Sequence, residues 1–331
     1  MSATTTETER LTLARLPSGT EVTTRLHTIS GPTEGPTAYV HAAVHGREIN
    51  GVEVIRRVHH KLADREFAGE VRLVPVANPL TFDLQRYTLP TALDHTHLWT
   101  ANMERTWPGD RDGSLHERMA ARLWEHVHDA DAVVDLHTGS PATHPHSVYT
   151  DDDPASRELA RVFGTDLVMP SAVAPRTPDW PTDRDVSGTL RAIASHEGIP
   201  SMIAELGEAY RVEENTVAMG VTGVLNVLKQ VGVLDGEPVE NGEALLVTSP
   251  MHSNRSDSFD AAASGLFVTD PDVWPGKRVS AGQSLGTVYH PTTFEPVHEV
   301  ETSQDGILYH LRRRGTVTGG ERLAAVAVEK E

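Results

Sequence analysis

The feature that most constrains this chain is an apolar strand that runs straight into an amphipathic helix through His45-Gly46-Arg47-Glu48-Ile49-Asn50-Gly51. Thr37-Ala38-Tyr39-Val40-His41-Ala42-Ala43-Val44 reads as a buried strand, and Val52, Ile55, Val58 and Leu62 then recur at helical spacing. His45 and Glu48 therefore fall at the carboxyl end of a strand, in the turn before a helix. Open α/β sheets place their ligand sites along that edge. A histidine and a carboxylate three residues apart there can close on one metal ion.

The same alternation continues along the chain. A strand over 71–78 leads into a long loop over 79–113, and loops of that length inside compact domains are usually functional or disordered. A helix over 114–129 carries Leu115, Met119, Leu123 and Val127 on one face, followed by the strand Ala132–His137. A helix over 189–196 leads through Gly198 and Pro200 into the strand Ser201–Glu205, and a helix over 216–231 closes the region. This pattern predicts an α/β fold with a largely parallel sheet flanked by helices. Beyond Gly236 short β-rich pieces alternate with glycine turns, at 244–248, 265–269, 286–289, 306–311 and 323–328. The expected division is an α/β domain over 1–236 and a small β-rich barrel or sandwich over 237–331.

Composition narrows the function. There are 29 basic against 47 acidic residues, a formal net charge of -18, which argues against nucleic acid as a partner. The lysines are Lys61, Lys229, Lys277 and Lys330, so the positive charge is mostly arginine. Such a surface suits a high-salt cytoplasm, and a GC-rich genome gives the same arginine bias; the composition leaves both open. No apolar run approaches the roughly 20 residues of a membrane helix, and Met1-Ser2-Ala3-Thr4-Thr5-Thr6-Glu7 lacks the basic and apolar regions of a signal peptide. The expected setting is cytoplasmic, with a small molecule as partner and no membrane. Zero cysteines leave only nitrogen and oxygen ligands for a metal.

Three strand ends supply such ligands: His45 with Glu48, then His137, then Glu205. Two histidines and a carboxylate with an open fourth position form a usual catalytic zinc shell, so one Zn2+ per chain is expected on His45, Glu48 and His137. The chain holds 18 histidines, but these two end apolar strands, where a solvated histidine is out of place. Asp135, two residues before His137, faces the same side. A buried aspartate needs a partner, so it is expected to accept from a metal-bound histidine such as His45, or else to cap a neighbouring backbone. Glu205, before Leu206-Gly207, is the candidate general base, with Glu208 as its rival. In the long loop, Arg86-Tyr87 and Asn102-Met103-Glu104-Arg105 offer guanidinium groups for a substrate carboxylate or an oxyanion.

These residues together resemble the succinylglutamate desuccinylase/aspartoacylase family, deacylase relatives of the zinc carboxypeptidases. The resemblance rests on His45-Gly46-Arg47-Glu48 with Gly51, on Asn78-Pro79, and on Arg105 with Trp107-Pro108-Gly109. Asp135-Leu136-His137-Thr138-Gly139 and Glu205-Leu206-Gly207 complete it, all in family order over residues 37–232. It implies a zinc-carboxypeptidase-like sheet, with His45, Glu48 and His137 as zinc ligands and Glu205 as base. Arg86 would polarise the scissile carbonyl and Arg105 grip the substrate carboxylate, with Asn102 and Glu104 beside it. The β-rich tail resembles the part that narrows the mouth of these deacylases. The implied reaction is removal of an acyl group from an N-acyl amino acid or related small amide. A zinc carboxypeptidase acting on peptides and a non-catalytic metal-binding protein are the alternatives.

One departure stands out. The family reads Asp-x-Asn-Arg before an aromatic-Pro-Gly, and here Glu104 replaces the asparagine. A carboxylate only accepts hydrogen bonds and repels an acidic group. This predicts a substrate with a neutral or positive group near Glu104, such as an N-acetylated diamino acid. The alternative is that Glu104 pairs with Arg105 or Arg86.

Overall fold

The computed structural model describes residues 3–90, 101–139, 143–172, 187–239, 244–247 and 258–329. The first region contains β1 (Thr5–Arg15), β2 (Glu21–Ser30), β3 (Thr33–Ala42), α1 (Asn50–Ala63), β4 (Ala68–Val74), α2 (Pro79–Leu84), α3 (Leu115–Trp124) and β5 (Ala132–His137). It continues through β6 (His146–Thr150), α4 (Pro154–Phe163), β7 (Leu167–Ser171), α5 (Leu190–His196), β8 (Ser201–Glu205), α6 (Glu214–Gln230) and β9 (Leu245–Leu246). Among the described residues these strands form one nine-stranded sheet of order β1-β2-β4-β3-β5-β8-β6-β7-β9. The central run β4-β3-β5-β8 is parallel, and β6 pairs antiparallel with β8.

Alternation along the central strands sends successive side chains to opposite faces. Val40, Val134 and Met202 meet α1, α4 and α6 on one face. Tyr39 and Val133 meet α3, α5 and Trp107 on the other. In α1 the stripe Val54, Ile55, Val58 and Leu62 is fully buried, each contributing about 1.5–3 kcal/mol. The helix expected over 114–129 ends at Trp124, after a start fixed by Ser114, which caps Glu117 N while the Glu117 carboxylate accepts from Ser114 N. The loop expected over 79–113 begins with α2, capped by Asn78 with Pro79 in its first turn; residues 91–100 lie outside the described residues. The sequence reading did not foresee the hairpin β1–β2, the strands β6 and β7, or α4.

The C-terminal region is antiparallel. It comprises β10 (Ser258–Asp260), β11 (Gly265–Thr269), β12 (Arg278–Val279), β13 (Ser284–Tyr289), β14 (Pro296–Glu301), β15 (Gly306–Leu311), β16 (Thr316–Val317) and β17 (Arg322–Ala327). Two four-stranded sheets, β10-β17-β15-β12 and β14-β13-β11-β16, enclose Phe267, Leu285, Val288, Leu308 and Leu323. The other face of β15 and β17, with Ile307, Tyr309, Ala325 and Ala327, packs on Val148, Leu167 and Met169 of the large sheet.

Two histidines sit at this contact. The His146 ring packs edge-on against Tyr309, with centroids 5.7 Å apart, and His310 Nδ1 lies 3.3 Å from Thr143 Oγ1. Burial pushes both down to about 4 from the ordinary 6.5, with Arg322 and Arg312 adding to the effect on His310. The unfolded chain therefore binds more protons between those values. This stability is complete above pH 6.5 and is lost as pH falls toward 4, at about 3 kcal/mol for each histidine. Glu104 and Glu205, raised to about 8 and about 7, titrate with the opposite sign, so the test is differential. His310→Leu should gain thermal stability relative to the parent on going from pH 7.5 to pH 4.5; a difference in melting temperature that does not change with pH would contradict it.

Candidate active site

Parallel strands β3, β5 and β8 end along one sheet edge, and their register sets the site. His41 pairs with Asp135, and His137 pairs with Glu205, so all four share the face that carries α5 and Trp107. After β3 the chain turns through Ala43 at φ 52°, and Glu48 N donates to His45 O at 3.0 Å, which stacks the two side chains. Gly46 is required there because a Cβ would stand 1.9 Å from Thr81 O. Gly51 likewise lets the start of α1 press on Ala42 and Leu136.

The structure brings His45, Glu48 and His137 together: one donor atom from each lies within 4.8 Å of the others, and all three are buried. His45 Nδ1 is 3.1 Å from Glu48 Oε1, and His137 Nδ1 is 3.1 Å from Glu48 Oε2. Thr138 N also donates to Glu48 Oε2. The far ring nitrogens are held separately. His45 Nε2 donates to Asn102 Oδ1 at 3.0 Å, and His137 Nε2 faces Asp135 Oδ2 at 3.0 Å. The amide oxygen of Asn102 only accepts, so His45 Nε2 carries a proton and its Nδ1 points inward. His137 and Asp135 instead approach as an ion contact without a hydrogen bond, and His137 Nδ1 is hydrogen-bonded to the Glu48 carboxylate. His45 Nδ1 is buried without a hydrogen-bond partner. Two imidazole nitrogens and a carboxylate converging in this way fit the donor set and open position of a catalytic zinc ion.

Asp135, expected to serve a metal-bound histidine such as His45, holds His137 instead, and its other oxygen accepts from His41 Nε2 at 2.7 Å. Burial opposes its charge, but His137 and His41 outweigh burial and keep the carboxyl far below its usual range. Burial alone would lower His137; Asp135 and Glu48 override it and hold the imidazole well above its ordinary value. In the same way His45 and His137 overcome burial to bring Glu48 to about 2.

Glu205 differs. Among the described residues its Oε2 is buried with no partner, and burial, helped by Glu48 and Asp135, raises the carboxyl to about 7. A carboxyl poised there can both take and return a proton near neutrality. Glu208, its rival, forms an ion pair with Arg313 at 2.7 Å.

The loop residues fall differently from expectation. Asn102 Oδ1 accepts from His45 Nε2 and from Glu104 N, so it orients the His45 ring. Glu104 is 2% exposed. Its oxygens accept from Trp107 Nε1 and Leu190 N, each at 3.1 Å. The carboxylate ties the loop to the start of α5, and among the described residues its side-chain partners are neither Arg105 nor Arg86. Burial, then Asp135, raises it to about 8. Arg86 is exposed in the loop after α2. Arg105 is partly buried, with Nη1 on Glu104 O and Nε without a partner.

Sequence reading missed several neighbours. Tyr87 stacks flat on His45, with centroids 3.8 Å apart, and Arg47 lies 4.5 Å over the Tyr87 ring. His41 and His146 also share the face of Asp135 and Glu205. A histidine inside an apolar strand, as at His41, was the available signal; nothing local marked the other three.

Two predictions follow from these contacts. Asp135→Asn should weaken zinc binding roughly 10–100-fold, measured by competition with a chromophoric chelator; unchanged affinity would remove Asp135 from the ligand-holding role. Glu104→Ala strands two buried N–H donors and should cost about 2–4 kcal/mol, seen as a lower denaturant midpoint.

The geometry has relatives. Residues 34–231 match the family model described as the succinylglutamate desuccinylase/aspartoacylase catalytic domain. The N-alpha-acetyl-L-2,4-diaminobutyric acid deacetylase of Halomonas elongata is 27% identical over 306 residues, covering 89% of this chain and 82% of that one. A succinylglutamate desuccinylase/aspartoacylase structure from Rhodobacter sphaeroides superimposes with a TM-score of 0.81 at 25% identity, covering 100% of this chain and 96% of its own. The product-bound ectoine utilization protein EutE of Ruegeria pomeroyi shares the fold, with a TM-score of 0.81 at 22% identity and 99% and 96% coverage. With the matched model spanning the whole site, the chain belongs to the succinylglutamate desuccinylase/aspartoacylase family.

Proposed function

We propose that this protein is a zinc-dependent deacylase of small N-acyl amino acids, with an N-acetylated diamino acid as first candidate substrate. The observation that carries it is Glu205, a buried carboxyl with an unpartnered oxygen beside three converging donors. His45, Glu48 and His137 would hold one Zn2+, which when bound supplies a Lewis acid for the amide carbonyl and makes water easier to deprotonate. Glu205 takes the proton from the attacking water and returns it to the leaving nitrogen. Arg86 would serve the developing oxyanion and Arg105 a substrate carboxylate. Among the described residues neither arginine forms an ion pair, nor does Arg47. In a chain of net charge -18, guanidiniums without an acidic partner favour an anionic substrate group. The preference for a diamino acid rests on the Halomonas elongata relative, whose named substrate is N-acetyl-diaminobutyrate.

The test is release of free amine by the zinc-loaded protein from N-acetyl-2,4-diaminobutyrate, N-acetylaspartate, N-succinylglutamate and a short peptide. Faster turnover of the first is expected; activity on the peptide alone would replace the reading with a carboxypeptidase, and no release from any would overturn it. Glu205→Gln should lose roughly 10²–10⁴-fold in kcat while still binding zinc, and removal of zinc by a chelator should abolish turnover reversibly.

A further inference from the structure

Next to Glu205 lies a second buried side chain, with one ring nitrogen that has no hydrogen-bond partner among the described residues. β6 runs antiparallel to β8, so it begins at the edge where β5 and β8 end. Its first residue, His146, pairs directly with Glu205, as His137 does from the other side. Cross-strand partners present their side chains on one face, which places His137, Glu205 and His146 in a row. His146 is 2% exposed. Its Nδ1 lies 2.9 Å from His144 O, an atom that only accepts, so Nδ1 carries the proton. Nε2 is then a bare lone pair, buried and without a partner among the described residues, like Glu205 Oε2 beside it. Burial keeps the ring neutral, at about 4.

Two orphaned acceptors side by side need a donor between them, because an unpaired buried polar atom is costly. Glu205 returns its proton to the scissile nitrogen, so that nitrogen must come within its reach. From the far side the same nitrogen presents an N–H. The geometry points to His146 Nε2 as the acceptor for the scissile N–H, a substrate-binding contact that aims the nitrogen lone pair at Glu205. This rests on the deacylase reading above. The contact would make the site selective for amides over the corresponding esters, which have no hydrogen there. Tyr309, packed edge-on against the ring, lets the C-terminal region hold the imidazole in place.

The experiment compares parent and variants on an N-acyl amino acid and on its isosteric ester, in which oxygen replaces the N–H. His146→Phe keeps a ring against Tyr309 and removes the acceptor; His146→Gln restores an acceptor. His146→Phe should lower kcat/KM on the amide by about 10–100-fold and leave the ester within about twofold, with His146→Gln recovering much of the amide rate. Should phenylalanine be rejected by the fold, His146→Met reads the same ratio. Equal losses on amide and ester, no loss on either, or a loss confined to substrates with a second amino group would each overturn the assignment. A parent protein inactive on every acyl amino acid would instead overturn the functional reading itself.

Discussion

The buried carboxylate of Asp135 is the constraint on which the rest of the site depends. It sits in the middle of a parallel sheet with no exposure, where an unpaired charge would cost several kcal/mol. Two histidines offset that cost from opposite sides, His41 from β3 and His137 from its own strand. The register that pairs His41 with Asp135 also pairs His137 with Glu205. A slip of one residue would turn the whole row to the opposite face, against α1, α4 and α6 beside Val134 and Leu136. Burial of the apolar face therefore fixes the polar one, and the fold and the chemistry share one register.

Charge balance around that carboxylate sorts the acidic residues by role. Glu48 and Asp135 each touch histidine and are held ionised. Glu205 and Glu104 lack such partners and are pushed up. The last two differ in what their oxygens meet. Glu104 finds Trp107 and Leu190, both fixed parts of the chain, whereas one oxygen of Glu205 finds nothing. A raised carboxyl with its donors supplied by the fold is a strut; one left open at a sheet edge is free to exchange protons with a bound molecule.

This distinction explains what could be read from the residues alone. His45, Glu48, His137 and Glu205 were legible because each follows an apolar strand, and strand ends in a parallel sheet converge whatever the details of packing. The helix stripes of α1 and α3 were legible for the same reason of periodicity. Glu104 was not, because its role depends on Leu190, a residue 86 positions away. The hairpin β1–β2 escaped because much of β1 faces solvent and reads as polar, Thr5-Thr6-Glu7-Thr8-Glu9-Arg10. His146 escaped because its importance comes from the cross-strand register with Glu205, which no local pattern carries.

The replacement at Glu104 shows how a change of residue type can have a structural consequence that the sequence does not display. From sequence, a carboxylate in place of an amide beside Arg105 reads as a change of substrate. In the structure it is a change of scaffold: the longer side chain reaches the indole of Trp107 and the first amide of α5, while Asn102 holds His45 from the preceding turn. Among the described residues, groups that keep an open atom around the donors include Arg47 over Tyr87, Arg105 with a bare Nε, and His146 with a bare Nε2. Under the deacylase proposal these are available to a substrate. Two of these are cationic and one is a neutral acceptor. Together they describe a ligand with an anionic group and an N–H, which are the two features common to every N-acyl amino acid.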